Sequence, residues 1–122
     1  HVYEISPEVI EAGRDNRTTC MVNNIPSRVS REDLVKMLDG IVPGRYTCFV
    51  LPMLPFRRGH ADFGFINFLE ATDVAVLYRK LHGTPWREIG PNVDSDKIVE
   101  VKYSKEQGAG KIMKSWGRLD AV

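Results

Sequence analysis

The sequence contains no long apolar run. No stretch of its 122 residues approaches the roughly 20 consecutive apolar residues that a membrane-spanning helix requires. The opening HVYEISPEVIEAGRDNR also lacks the continuous apolar stretch of a signal peptide. An initiator methionine is absent as well, so we expect the chain to be a piece of a longer protein. We expect no membrane association.

Cysteine is scarce. The two cysteines, Cys20 and Cys48, stand in apolar stretches without Cys-x-x-Cys spacing. His1, His60 and His82 show no metal-ligand spacing with them. We therefore expect buried thiols in a reduced compartment, the nucleus or cytoplasm or both, with no metal and no other cofactor.

A large net charge is also absent. The formal net charge of +1 does not by itself favour binding to nucleic acid. The charge is unevenly distributed, because residues 97–118 contain six basic and two acidic side chains, against 11 basic and 14 acidic ones elsewhere. This region is either a positive binding surface or simply the solvated face of a helix. The 43% hydrophobic and 27% charged content indicates one globular domain.

Four strand-like segments and two amphipathic helices follow one another in the order β-α-β-β-α-β. The predicted strands cover 19–25, 46–51, 61–68 and 98–103, and the predicted helices cover 30–40 and 71–82. This order is typical of the ferredoxin-like α+β fold, a four-stranded antiparallel sheet with two helices on one face. We expect an arm over residues 1–16 that packs on or flanks a domain at 17–104, and a helical extension over 105–122.

The third predicted strand contains DFGFINF, which has large apolar groups on both faces. Successive strand side chains point to opposite faces, so Phe63, Phe65 and Asn67 share one face and Gly64, Ile66 and Phe68 the other. In this topology the first and third strands are neighbours at the centre of the sheet. The spacing therefore predicts that Met21, Phe63 and Phe65 cluster on the face without helices, opposite a core that contains Cys20 and Val22.

No arrangement typical of an enzyme is visible. No glycine-rich phosphate loop precedes the first predicted helix, and no Ser-His-Asp set or carboxylate pair stands out. A small enzyme on this fold, such as an acyl-phosphate hydrolase, is therefore disfavoured. We expect a binding module without catalytic activity.

The third strand resembles the octamer of the RNA recognition motif. Ala61–Phe68 (ADFGFINF) matches it at the three aromatic positions and the small fourth position, and Cys20–Ile25 (CMVNNI) corresponds to the hexamer of the first strand. A closer resemblance is to the C-terminal RNA recognition motif of Mei-type meiosis regulators of fungi and plants. It rests on Arg17–Thr19, Asn24–Pro26, Leu51-Pro52, Phe65–Phe68, Gly83 with Trp86, and Gln107-Gly108.

The resemblance implies binding of single-stranded RNA in the control of meiosis or development. Bases would stack on Phe63 and Phe65, with Met21 packing beneath a base. Selectivity would come from Asn23, Asn67 and Lys102, and phosphates would bind Arg57, Arg58, Lys105, Lys111 and Lys114. The sequence departs from the octamer at Ala61 and Asp62 and from the usual aromatic at Met21, which predicts weaker binding or fewer bound bases.

Other interpretations of the same residues remain open. The tail helix could cover Phe63 and Phe65 through Ile112, Met113 and Trp116, which would make a second small core. The domain could instead bind a protein partner or a second copy of itself, which the low net charge and Asp62 favour. The apolar face, or Trp86 together with Trp116, would then hold the peptide or the second copy. Independently of this, Trp86 stands in an irregular stretch and could simply anchor that loop.

Overall fold

The structure, a computed structural model, describes residues 2–54, 59–90 and 93–120. The elements are α1 (Pro7–Glu11), β1 (Thr19–Asn23), α2 (Arg31–Ile41), β2 (Tyr46–Val50), β3 (Phe63–Phe68), α3 (Ala71–Leu81), a 3-10 turn (Trp86–Glu88), β4 (Glu100–Tyr103) and α4 (Ala109–Asp120). Within the described ranges, no helix has the length and apolar character to cross a membrane.

The four strands form one antiparallel sheet in the order β2-β3-β1-β4. Met21 on β1 lies opposite Phe65 on β3 and Lys102 on β4, and Ile66 on β3 lies opposite Phe49 on β2, so β1 and β3 are the central strands. The predicted fold class is therefore confirmed: an α+β, ferredoxin-like domain with an antiparallel sheet.

Local capping residues mark the starts of α2 and α3, the two helices that pack on one face of the sheet. The Ser30 hydroxyl accepts a hydrogen bond from the Asp33 N–H at 3.1 Å and caps α2. Glu70 and Asp73 form a reciprocal capping box at the start of α3. The predicted end of α2 at Gly40 is wrong by one residue, because the helix continues to Ile41.

The main core lies between the sheet and these two helices. Its sheet side carries Cys20, Val22, Ile66 and Phe68, as the alternation predicted, together with Val99 and Val101. Gly64 suits this position because a Cβ would be crowded, at 3.1 Å from the Val50 carbonyl oxygen and 3.2 Å from the Phe49 ring. Trp86 is fully buried in this core, so it anchors its loop.

The N-terminal segment is attached to β4. The Tyr103 N–H donates to the Tyr3 carbonyl oxygen at 2.8 Å, and Arg17 donates to the Val2 carbonyl oxygen at 2.6 Å. The Arg17 guanidinium also lies 3.8 Å from the centre of the Tyr103 ring. Its hydrogen bonds to Asp15 lower the pKa of that carboxyl. Arg17 therefore holds the segment against the edge of the sheet.

The side chain of Gln107 joins the chain after β4 to the start of β1. Its amide oxygen accepts the N–H groups of Thr18 and Thr19, and its amide nitrogen donates to the carbonyl oxygens of Thr19 and Ser104. Gly108, at a φ of +100°, then donates its N–H to the Thr19 hydroxyl at 2.7 Å. These contacts, which we call the Gln107 clasp, set where α4 begins.

Candidate nucleic-acid interface

Three apolar side chains stand together on the side of the sheet that faces away from α2 and α3. Phe63 and Phe65 lie two residues apart on β3, with ring centres 5.8 Å apart in an edge-to-face arrangement, and Met21 is directly opposite Phe65. All three belong to a cluster that is separate from the main core. The predicted clustering is confirmed, and we call these three residues the aromatic face.

Helix α4 covers most of this face. Ile112 is fully buried, and the Trp116 ring stacks on Phe65 with centres 5.2 Å apart and planes 28° apart. Trp116 also meets Phe63 edge-to-face at 5.3 Å. Phe65 retains only 3% of its exposure, whereas Phe63 stays half-buried. The alternative in which the tail helix covers these rings is therefore confirmed for Phe65, with Ile112 and Trp116 as the covering residues.

The covering by α4 follows from the clasp and from the pattern of the helix. The clasp holds Gly108, the residue before α4, at the edge of the aromatic face. On α4, Ile112 and Trp116 are one turn apart and therefore lie on the same side of the helix, which faces the cluster. Met113, which the sequence offered as a third covering residue, is instead 47% exposed. Among the residues whose burial the structure describes, this cluster contains Val50, Phe65 and Ile112 buried and Met21, Phe63 and Trp116 partly buried, so the helix rests on a small apolar area.

Asn67 does not have the position that a base-reading group needs. Its side-chain oxygen accepts hydrogen bonds from the hydroxyls of Thr18 and Thr19 at 2.9 and 2.7 Å. Its amide nitrogen donates to the Thr47 hydroxyl at 2.9 Å, and the side chain is buried. The prediction that Asn67 contributes selectivity conflicts with this geometry, because the side chain is buried and the threonine hydroxyls already engage its oxygen and one of its two N–H groups.

Asn23 and Lys102 remain at the surface beside the aromatic face. Asn23 is half-buried and donates its amide to Glu100 on β4 at 2.8 Å. Lys102 is half-buried directly opposite Met21. Asp62 is exposed at the entrance to β3, where its charge opposes phosphate. Polar groups able to meet a base edge therefore lie on the β4 side of the face.

The predicted phosphate-binding residues are only partly described. Lys105, Lys111 and Lys114 are exposed, the last two on α4. Arg57 and Arg58 lie outside the described residues. A basic fringe thus follows the C-terminal segment that carries Trp116 across the sheet.

Two groups of functional interest were not singled out by the sequence. One is the amide of Gln107, which appeared only as part of the family resemblance and proves to position α4. The other is the exposed ring of Tyr3 at the outer edge of β4. Hydrogen bonds between residues 88 positions apart have no local sequence signal, and the resemblance of Gln107-Gly108 to a family pattern was the only indication.

Comparison with models of protein families shows which family the chain belongs to. The model for RNA recognition motif 2 matches residues 17–116. The chain belongs to this family. The matched part of the RNA recognition motif includes the Gln107 clasp and α4 as far as Trp116, so the covering helix falls within the family pattern.

The motif is also similar to plant proteins named MEI2-like. It is 28% identical over 107 residues to protein MEI2-like 4 of Arabidopsis thaliana, covering 88% of this chain and 11% of that protein. To protein MEI2-like 7 of Oryza sativa subsp. japonica it is 29% identical over 119 residues, covering 83% of this chain and 30% of that protein. The chain therefore spans only a small part of the relatives that it matches.

Solved structures support the fold. The structure of the RNA15 RRM superposes with a TM-score of 0.61 at 15% identity, covering 80% of this chain and 98% of that one. A structure of the Rna15 RRM with bound RNA (GU) gives a TM-score of 0.58 at 15% identity, over 80% of this chain and 94% of that one. At this identity the likeness concerns the architecture alone.

Proposed function

We propose that this RNA recognition motif binds single-stranded RNA through its aromatic face. The observation that carries the proposal is the cluster of Phe63, Phe65 and Trp116, whose rings contact one another on the side of the sheet opposite α2 and α3, outside the main core. Rings in this position on such a sheet stack splayed bases in proteins of this kind. Family membership and the flanking lysines support the same function.

Base stacking on Phe65 requires that Trp116 move aside. The indole already lies on the Phe65 ring in the parallel arrangement that a nucleobase would adopt. Each stacked base contributes about 1–3 kcal/mol. Burial of one large apolar side chain contributes about 1.5–3 kcal/mol. Two or three bases can therefore compete with Ile112 and Trp116, and RNA binding displaces α4.

The backbone of the RNA follows the basic fringe. Lys102 lies beside Met21, and Lys105 is exposed on the segment that leads to α4. Lys111 and Lys114 stay attached to the displaced helix and can still reach phosphates. Asn23 contributes to selectivity together with Lys102, whereas Asn67 holds the threonines of the adjoining strands.

The relatives suggest a biological setting. We propose that the whole protein is a post-transcriptional regulator of meiosis or development that works in the nucleus, the cytoplasm or both. The support is the similarity to MEI2-like proteins.

The stacking role is tested by replacing the rings without uncovering the sheet. F63L/F65L keeps apolar bulk beneath α4 but removes both stacking surfaces, whereas F63A/F65A removes bulk as well. We expect F63L/F65L to weaken binding of short mixed-sequence RNAs by about 30-fold or more, since two stacks are lost at about 1 kcal/mol or more each. Fluorescence anisotropy measures the affinity, and circular dichroism checks the fold. Equal affinities for the variant and the original chain would refute the proposal.

A second candidate function is a protein-interaction or dimerisation module on the same fold. The burial of Phe65 under Trp116 and the exposed Asp62 favour it, because both reduce access of RNA to the sheet. A molar mass that rises with concentration in light scattering, together with no RNA binding, would select this function.

A further inference from the structure

A cleft of about 510 Å³ opens at the outer edge of β4, where the end of α3 approaches the N-terminal segment. Residues 3–5 of the N-terminal segment form one wall, Tyr78 and His82 of the α3 end form another, and residues 100–102 of β4 form the third. Clefts of roughly 300–1,000 Å³ hold small organic ligands. A nucleotide is therefore within the size range, and the stacking scheme described above leaves this cleft unused.

Hydrogen bonds to the edge of β4 fix two walls of the cleft. The Tyr103 N–H donates to the Tyr3 carbonyl oxygen at 2.8 Å, and the Val101 N–H donates to Nδ1 of His82 at 3.1 Å. The His82 ring is further held by stacking on Tyr78, with centres 4.4 Å apart and planes 15° apart. The cleft is therefore formed before any ligand arrives.

The walls offer the chemistry that a base needs. The Tyr3 side chain is 41% exposed and provides an aromatic surface for stacking. Since Nδ1 of His82 accepts a hydrogen bond, Nε2 carries the proton in the neutral ring and is a donor. Glu100 accepts from Asn23 through Oε1, and its carboxylate has capacity for a further donor. Donor, acceptor and ring thus occur together.

Charge decides which part of a nucleotide enters. Glu4 and Glu100 both line the cleft, so a phosphate inside it would be repelled. Lys102 lines the same cleft but also lies opposite Met21 on the aromatic face. A phosphate beside Lys102 would join a base in the cleft to the next base on the sheet. An RNA strand that passes Lys102 at the β4 edge can therefore reach both the cleft and the aromatic face.

We propose that one nucleotide of the bound RNA, next to those on the aromatic face, inserts its base into this cleft. The base stacks on Tyr3 and its exocyclic amino group donates a hydrogen bond to Glu100, while His82 donates one to a ring nitrogen or a carbonyl oxygen of the base. Adenine and cytosine have such an amino group and uracil has none, so the cleft prefers them over uracil. This inference rests on the proposed function and adds a base-selective pocket to it.

The test uses fluorescein-labelled ten-nucleotide RNAs of adenine, cytosine or uracil. We expect Y3A to lower the affinity for the adenine and cytosine RNAs by about five-fold or more. Y3F should bind them with the same affinity as the original chain. The main-chain bond of Tyr3 to Tyr103 survives both changes, so the N-terminal segment stays in place.

Selectivity is measured with E100A. Removing a carboxylate near phosphates strengthens binding of every RNA, so the readout is the ratio of the adenine affinity to the uracil affinity. We expect this ratio to fall by at least three-fold. Unchanged binding by Y3A, or an unchanged ratio in E100A, overturns the inference. If F63L/F65L still weakens RNA binding when these variants have no effect, the proposed function stands and only the base-selective cleft is refuted. If F63L/F65L binds RNA normally, the proposed function and the cleft are both refuted.

Discussion

At the residue scale, position on a face does not determine what a side chain does. Asn67 lies on the same side of β3 as Phe63 and Phe65, which made it a reasonable base-reading group. In the folded chain three threonine hydroxyls from two other segments surround its amide. The alternation of the strand gives the face, but those partners come together only when β1 and β2 pair with β3.

Replacing Asn67 by alanine should destabilise the fold. The change leaves the buried hydroxyl of Thr19 and the half-buried hydroxyl of Thr18 without their acceptor, at a cost of about 1–3 kcal/mol in the free energy of unfolding. Urea denaturation measures the loss. The matched change N23A, which removes one amide hydrogen bond near the surface, should cost clearly less; equal costs would contradict the structural role of Asn67.

The two thiols should differ in reactivity. Burial raises the pKa of the Cys20 thiol, which keeps it in the unreactive neutral form at ordinary pH, whereas Cys48 is only half-buried. We expect iodoacetamide to leave Cys20 unmodified in the folded chain and to modify it after denaturation. Peptide mass spectrometry identifies the modified residue. Rapid labelling of Cys20 under native conditions would show that β1 is more accessible than this structure indicates.

At the element scale, the sequence was most informative where the alternation along the strands and the order of the elements predict the same arrangement. The pairing of β1 with β3, and the clustering of Met21 with Phe65, follow from alternation and the β-α-β-β-α-β order. The amphipathic pattern of α4 was also visible, but the pattern shows only that the helix has an apolar side. Whether that side meets the aromatic face depends on the Gln107 clasp, which no local pattern predicts.

Loosening α4 should strengthen RNA binding. I112N removes the fully buried residue by which α4 holds the sheet, whereas M113N alters an exposed neighbour on the same helix. We expect the first variant to bind short single-stranded RNA several-fold more tightly, because less apolar contact must be broken, and the second to bind within about two-fold of the original chain. Anisotropy titration compares the two. Weaker binding by I112N would mean that docked α4 forms part of the RNA site.

At the scale of the whole molecule, a net charge of +1 conceals a basic C-terminal region. This region contains both the strand that borders the aromatic face and the helix that covers it. The fold class could be predicted because it depends only on element order. Whether α4 covers the aromatic face could not be predicted, because the strands have the same alternation of side chains with the face covered or open.

Affinity for RNA should fall as salt rises. If Lys102, Lys105 and Lys111 each neutralise one phosphate, the slope of log affinity against log salt is about −2, since each contact on a single strand contributes about 0.7. K105A should make the slope shallower by about 0.7. K36A, an exposed lysine on α2 behind the sheet, should leave it unchanged. A slope near zero would show that these lysines do not contact phosphates.

The most direct test of the central claim follows the indole N–H signals of the two tryptophans by NMR during titration with short single-stranded RNA. Trp116 lies on Phe65, whereas Trp86 is buried in the main core and serves as an internal reference. If bases take the place of Trp116 on the aromatic face, its signal shifts to saturation with added RNA while that of Trp86 stays in place. RNA that binds without moving the Trp116 signal, or an absence of binding, would contradict the claim.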